Sequence, residues 1–252
     1  MRIVRITVLF ISILAISTHA SLAGGEKENK PQSTEKTQLA SPDIPGRLIV
    51  DFGFNRLSNN APALQTGFWG SKSLGLYYMK TFELNERMSF NVSLGLGTEK
   101  HAFTEDISLR HQTNEATGID EVVIDSLGFE PGKNKIAQTF LDIPVEFRYY
   151  PGASSPSEGN FFIALGGSAG IQMASHMKLK YEAIDGRTIK EKTKDDFGLS
   201  NFRYGVHGRI GFRGVNIFYK HYFNPFFKSG EVPSGLAVEP NNWVMGFSFN
   251  LF

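Results

Sequence analysis

From Gly46 to the C-terminus, apolar and polar positions exchange with a period of two, which is the pattern of strands with two unlike faces. Leu48, Val50, Phe52 and Phe54 alternate with Ile49, Asp51, Gly53 and Asn55. Phe90, Val92, Leu94 and Leu96 alternate with Ser89, Asn91, Ser93, Gly95 and Gly97, a set of small or polar side chains. The same parity sets Leu141, Ile143, Val145, Phe147 and Tyr149 against Asp142, Pro144, Glu146 and Arg148. It returns in Phe202, Tyr204, Val206, Ile210 and Phe212 against Arg203, Gly205, His207, Arg209 and Arg213. Val215, Ile217 and Tyr219 oppose Asn216, Phe218 and Lys220, and Trp243, Met245, Phe247, Phe249 and Leu251 oppose Gly246, Ser248 and Asn250. Two further segments, Ser73 to Leu84 and Asn160 to Met173, are richer in glycine and less regular. The pattern predicts eight strands.

The connections between these segments decide what the strands build. They run from Leu57 to Lys72, Asn85 to Arg87, Thr98 to Ile136, Pro151 to Gly159, Ala174 to Asn201, Arg213 to Gly214 and Pro225 to Asn241. Long and short connections alternate, so antiparallel neighbours send the long ones to one rim and the tight turns to the other. That is the layout of an all-β, eight-stranded antiparallel up-and-down transmembrane β-barrel of the outer-membrane type, covering residues 46–252. The apolar parity then faces lipid, and closure pairs the backbone that lipid cannot hydrate. The competing class, a secreted soluble sandwich, would bury the same apolar faces under a second sheet.

Aromatic residues should gather at both headgroup levels. One rim is expected to receive Phe82, Phe90, Tyr149, Tyr150, Phe161, Phe212 and Phe252, and the other Phe54, Trp69, Phe140, Phe202, Phe223, Phe226, Phe227 and Trp243. The final Phe-Asn-Leu-Phe resembles the aromatic-ended last strand by which outer-membrane proteins are recognised for insertion. Lys80 breaks the pattern, because it shares the parity of Leu74, Leu76, Tyr78 and Phe82. A charge at the bilayer midplane costs about 2–4 kcal/mol, so a bulge near Tyr77-Tyr78 or a side chain reaching to the rim is expected.

The N-terminus carries an address. Arg2 and Arg5 precede the apolar run Ile6 to Ile16, and the small residues ending at Ala20 and at Ala23 offer two cleavage sites, so residues 1–23 read as a secretory signal peptide. Residues 24–45, polar and containing three prolines, read as a flexible periplasmic linker. Composition agrees with export into an envelope. The chain has 252 residues, no cysteine and 13% aromatic residues, which is too aromatic for disorder and excludes disulfides, thiolate zinc sites and cysteine nucleophiles. A formal charge of +1 offers no basic tract for nucleic acid or anionic lipid.

Three stretches resemble the PorT-like outer-membrane β-barrel family of Bacteroidota: Gly70 to Lys80 (GSKSLGLYYMK), Thr139 to Tyr149 (TFLDIPVEFRY) and Phe162 to Gly170 (FIALGGSAG). The middle one is the most specific, since a proline inside a strand is unusual. The resemblance spans roughly residues 46–252 and implies the fold and an outer-membrane location. Some members of that family are accessory proteins of type IX secretion and gliding.

Four constellations carry candidate chemistry. Asp51, Asp142 and Glu146, with Arg148, Arg203, Arg209, Arg213 and Lys220, face inward; in so narrow a bore they should pair and plug the lumen, with a selective pore as the functional alternative. Ser175 and His176, with His101 and His221, suggest a lipid-modifying site, but adjacent strand residues point to opposite faces. Glu115, Asp120, Glu121 and Asp125 crowd the second long connection without the spacing of a calcium loop, so the segment reads as a solvated acidic loop, with metal binding as the functional alternative. Met177, Leu179, Tyr181 and Ala183 alternate up to Asp185-Gly186, a hairpin signal that predicts a β-ribbon from Met177 to Lys194. No catalytic residue, metal ligand or cofactor-binding residue is assigned. The expected protein is noncatalytic, meets outer-membrane lipid, and offers its outer loops or its periplasmic segment to envelope or secretion-system proteins.

Overall fold

The alternating segments hydrogen-bond edge to edge until the first meets the last. The computed structural model describes residues 46–251 except 59–61, 114–119, 153–155, 157–160, 234–235 and 237–238; the signal peptide, the linker, Glu115 and Phe252 lie outside the described residues. The strands are β1 (Arg47–Ser58), β2 (Lys72–Asn85), β3 (Met88–Ala102), β4 (Ile107–Thr113), β5 (Asp120–Ser126), β6 (Lys133–Tyr149), β7 (Phe161–Glu182), β8 (Thr188–Thr193), β9 (Phe202–Phe212), β10 (Val215–Pro225) and β11 (Asn241–Leu251). Eight of them form a ring in the order β1-β2-β3-β6-β7-β9-β10-β11, every ladder antiparallel, and the β1–β11 ladder closes it with Val50 opposite Phe249. The remaining three belong to the loops. β8 pairs with the far end of β7, and β4 with β5 makes a separate ribbon.

Burial runs opposite to that of a water-soluble protein. The apolar parity is exposed, as at Leu165 (70% exposed), Ile171 and Ile217, while the other parity buries Asp51, Asp142 and Arg148. A second sheet over the apolar face, as in a sandwich, is absent among the described residues. The tight turns Glu86-Arg87 and Arg213-Gly214 share one rim with the start of β1 and the end of β11, and the long connections share the other. Arg213 and Gly214 both adopt positive φ (48° and 84°), the backbone that a two-residue hairpin requires. At Pro144, which has no N–H, the β3–β6 ladder lapses between Val145 and Asp142 while Pro144 still faces Ser168 across the β6–β7 ladder.

Several expectations are corrected. Arg213 does not enter the lumen; it is exposed in the turn, stacked on Phe212 with 5.2 Å to the ring centroid. Lys80 needs no bulge, since the β2–β3 register is unbroken from Lys72 to Glu83; its ammonium lies over the Phe82 ring, toward the short-turn rim. Of the expected rim aromatics, Phe140, Tyr150, Phe226 and Phe227 are buried instead. Strands β3, β6 and β7 continue past the apolar pattern, because lysine and threonine replace leucine outside lipid while the backbone pairing persists. The acidic second connection is not wholly a solvated loop: β4 and β5 bury Ile107, Leu109 and Val122.

Candidate functional site

Strand alternation delivers every second side chain of eight strands into a bore that, at this strand number, side chains just fill. Among the described residues, the buried acids are Asp51, Glu99, Asp142 and Glu146, and the buried arginines and lysine are Arg148, Arg203, Arg209 and Lys220, with His101 and His207 also buried. Four charges of each sign cancel. They pair in three linked groups. Asp51 on β1 accepts from Lys220 Nζ at 2.8 Å and Arg209 Nη1 at 3.1 Å. Glu146 on β6 holds Arg148 and stands 3.3 Å from His207 Nε2, and its Oε2 is 3.4 Å from Arg209 Nε, so Arg209 joins the first group to the second. Arg203 on β9 donates to Glu99 at 2.5 Å and to both oxygens of Asp142, at 3.0 and 2.6 Å. Tyr77 Oη donates to Asp142 at 3.3 Å and its ring lies 4.9 Å from Lys220 Nζ, which links the third group to the first.

Aromatic rings fill what the charges leave. The Arg203 guanidinium lies between the rings of Phe140 (3.9 Å) and Tyr222 (4.7 Å), and Arg148 lies over Phe162 (4.3 Å). Glycine makes the close approach possible: a Cβ on Gly97 would stand 2.5 Å from Asp142 Oδ2 and 2.6 Å from Arg203 Nη2. A cavity of about 20 Å³ remains between Glu99, Arg203, Tyr222 and Asn242, close to the room one water needs.

Above the lumen, the long connections fold into a cap. Leu57, Ile136 and Met177, at the ends of β1, β6 and β7, meet Leu64, Phe103, Ile107, Leu109, Val122, Phe197, Leu199, Phe226 and Phe227 in one buried apolar cluster. The loops also bond to each other through backbone. Gly67 N–H donates to Ala102 O at 2.9 Å and Thr104 N–H to Gln65 O at 2.9 Å, while Lys228 N–H donates to Gly198 O at 2.8 Å. Buried side chains of this size contribute roughly 1.5–3 kcal/mol each, which makes the cap a small core in its own right. Its rim carries a polar knot: His111 Nε2 lies 2.9 Å from Asp196 Oδ1, and Lys228 Nζ lies 2.6 Å from Asp196 Oδ2 and 3.5 Å from Glu231 Oε2. Burial raises the Asp196 pKa, but the hydrogen bonds from Lys228, the Gly198 N–H and His111 outweigh it and hold the carboxyl at about 2. His111, Asp196 and Glu231 offer three ligand atoms within 4.8 Å of one another. The Lys228 ammonium stands between the two carboxylates and supplies the cation.

The residues singled out from the sequence scatter. His101 is buried under the cap, 3.1 Å from Asn55 Nδ2 and edge-on to Phe226. Ser175 faces inward with Gln138, its hydroxyl donating to Asp195 O at 2.5 Å, whereas His176 faces out opposite Ala137. His221 packs against Phe223 on the outer face of β10. These groups do not converge. Of the acidic set, Asp125 pairs with Arg110 across the β4–β5 ribbon and Glu121 lies opposite Gln112. The predicted β7–β8 ribbon is present, with its turn at Ala183–Arg187 and Gly186 at φ 78°. Glu99 was not anticipated, because the apolar partner of the alternation stops at Leu96; the polar parity itself runs on through Glu99 to His101 and would have located it.

A closed antiparallel ring of eight strands, apolar outside and charged inside, is a membrane-spanning β-barrel. Residues 26–237 match the family described as outer membrane protein beta-barrel domain, and the chain belongs to that family of outer-membrane barrels. The matched stretch ends before β11, the strand that closes the ring. A comparison with curated proteins finds no match. Among solved structures, the chain is similar to Ail, the attachment invasion locus protein of Yersinia pestis, in complex with the heparin analogue sucrose octasulfate, at 10% identity over 82% of this chain and 97% of that one, with a TM-score of 0.31. It is also similar to a triple-mutant porin of Rhodopseudomonas blastica, at 10% identity over 82% of this chain and 99% of that one, with a TM-score of 0.19. Neither likeness is close enough to carry an argument.

Proposed function

We propose that this barrel is a noncatalytic envelope protein whose lumen is closed to solutes and whose long-loop rim, facing the cell exterior, presents a folded surface to other envelope components. The observation that carries this reading is the pairing of a charge-balanced, side-chain-filled bore with a cap that has its own apolar core. A pore would need an open path, and a catalyst would need a base beside a nucleophile. Ser175 instead spends its hydroxyl on a backbone carbonyl, with His176 on the other face. Cap and ribbon are costly to order in a barrel that needs only short loops, and folded loops on a rigid scaffold are where recognition concentrates.

A second, finer reading is favoured by the stretches Gly70–Lys80, Thr139–Tyr149 and Phe162–Gly170: the chain is a PorT-like protein of Bacteroidota, exported by residues 1–23, and an accessory of type IX secretion. Affinity capture of the tagged protein from native membranes separates the readings. It is repeated after deletion of residues 103–132, of residues 177–194, or of residues 24–45. Recovery of envelope proteins that depends on one of these segments is expected, and secretion-system subunits among them would favour the accessory role. Capture of nothing, combined with altered lipid composition when the gene is deleted, would overturn the noncatalytic reading.

A further inference from the structure

We propose that the outer wall running from β11 and β1 through β2, β3, β6, β7 and β8 is a binding site for a phosphate-bearing lipid, its acyl chains along an apolar groove at the β11–β3 end and its phosphates among lysines just above the hydrophobic band. Along the chain these lysines are too scattered to form the basic tract for anionic lipid that the sequence lacks; the ladders gather them into rows. Thr98, which faces Leu74 on β2 and Thr139 on β6, lies at the edge of the lipid-facing parity. One step up, Lys72 stands opposite Lys100. The next row holds Lys135, Lys178 and Lys192 side by side, and the row after it Lys133, Lys180 and Lys190. Adjacent strands are about 4.8 Å apart and successive rows about 7 Å, so eight ammonium groups share one small field. Lys135 feels Lys133, Lys100, Lys72 and Lys178, and His176 feels Lys192, Lys100, Lys178 and Lys194.

Like charges directly opposite in a sheet destabilise it, so a wall built this way calls for anions from outside. The protein does not supply them: among the described residues, the ion-paired lysines are Lys220 and Lys228, and Glu182 is the carboxylate within these outward rows, at the ribbon tip. The rest of that rim is different. On β9, β10 and β11 the outward positions nearest the long-loop ends of the strands carry Phe202, Tyr204, Phe223 and Trp243, the ordinary interfacial girdle, and on β1 Arg56 stands opposite Trp243 as an outward base. Lysines therefore replace aromatic residues on one sector. Beneath the first lysine row, a groove of about 530 Å³ runs between Phe52, Phe54, Leu74 and Phe247, with Lys72 and Lys100 closing its upper end. An apolar channel topped by ammonium groups complements an acyl chain joined to a phosphate. A soluble acidic protein or polysaccharide would match the lysines but leave the groove, which lies at membrane depth, without a role.

The site depends only on the barrel standing in a bilayer; assigning the lipid to the outer leaflet rests on the proposed orientation. The full chain in detergent micelles is titrated with diphosphoryl lipid A, with the same lipid stripped of phosphate, and with inorganic phosphate, and bound lipid is counted by native mass spectrometry. Diphosphoryl lipid A is expected to bind roughly tenfold or more tightly than its phosphate-free form, with the difference shrinking as salt rises. The combined variant Lys72→Gln, Lys100→Gln, Lys135→Gln, Lys178→Gln should lose that difference, whereas Lys80→Gln, on the same wall at the opposite rim, should keep it. The pair Lys135→Gln, Lys178→Gln serves if the fourfold variant fails the heat-shift test of folding. Equal binding of both lipids, an unchanged lysine variant, or displacement by inorganic phosphate at matched concentration would overturn the proposal. Orientation is read separately: the chain has no cysteine, so Ile184→Cys at the ribbon tip reports with an impermeant maleimide on intact cells. Absence of labelling would overturn the outward orientation while the titration still decides the site.

Discussion

Arg203 shows how a charge survives inside a barrel wall. It is 4% exposed, yet two carboxylates and two aromatic faces leave little of its guanidinium without a partner. Removing one partner of such a pair leaves the other buried and unpaired, which costs about 3–5 kcal/mol. Arg203→Ala is therefore expected to lower unfolding stability in urea titrations by about that amount. Arg203→Ala combined with Asp142→Ala should cost less than the sum of the single changes; additive losses would mean the two side chains do not interact. Arg213 illustrates the opposite case, a side chain that pays for backbone geometry. Its left-handed φ of 48° is unfavourable by about 1–2 kcal/mol for a residue with a Cβ, so Arg213→Gly should leave stability unchanged or raise it and Arg213→Val should lower it, as measured by the temperature at which gel migration shifts.

The cap's loops carry the pH dependence that lies outside the membrane. Asp196 is held at about 2 against an ordinary value of 3.8. Its contacts with Lys228 and His111 thus stabilise the docked cap fully above the ordinary value and fade as pH falls from about 4 through 2. Protection of residues 194–200 against hydrogen exchange, taken relative to the intrinsic rate at each pH, should fall across that window, and Asp196→Asn should remove this fall while lowering protection at neutral pH. Protection that is flat between pH 5 and 2 would contradict the assignment. How much of these elements can be read from sequence follows from what enforces them. Alternation is imposed by lipid on one face and a packed bore on the other, so the eight wall strands were legible at Leu48–Phe54 or Leu141–Tyr149. The Asp185-Gly186 hairpin was legible because the turn demands its residues. The β4–β5 ribbon was not, because the alternation of Ile107 and Leu109 with Ser108 and Arg110 is only two apolar residues long, and it is the other loops, distant in sequence, that bury this face. Phe140 and Phe226 were misplaced for the same reason: both were assigned by rim level alone, and an arginine and the cap, respectively, draw them inward.

Taken as one body, the ring separates two surfaces: an apolar exterior with one lysine-rich sector, and an interior where four acids cancel three arginines and one lysine. Closure was legible from the alternating loop lengths, and part of the charge network from the parity of Asp51, Asp142, Glu146, Arg148, Arg203, Arg209 and Lys220. The partners were not, since which charge meets which is fixed by the register between strands far apart in sequence, such as Asp51 with Lys220. With the remaining space about one water in size where Glu99 and Arg203 meet, and the cap's apolar cluster at the long-loop mouth, no continuous aqueous path is expected. Planar-bilayer recording of the purified full chain tests this most directly. A closed lumen predicts a baseline without unitary steps at any applied voltage below membrane breakdown; stable single-channel steps from the unaltered protein, changed in size or abolished by Arg148→Gln or Arg209→Gln, would contradict it.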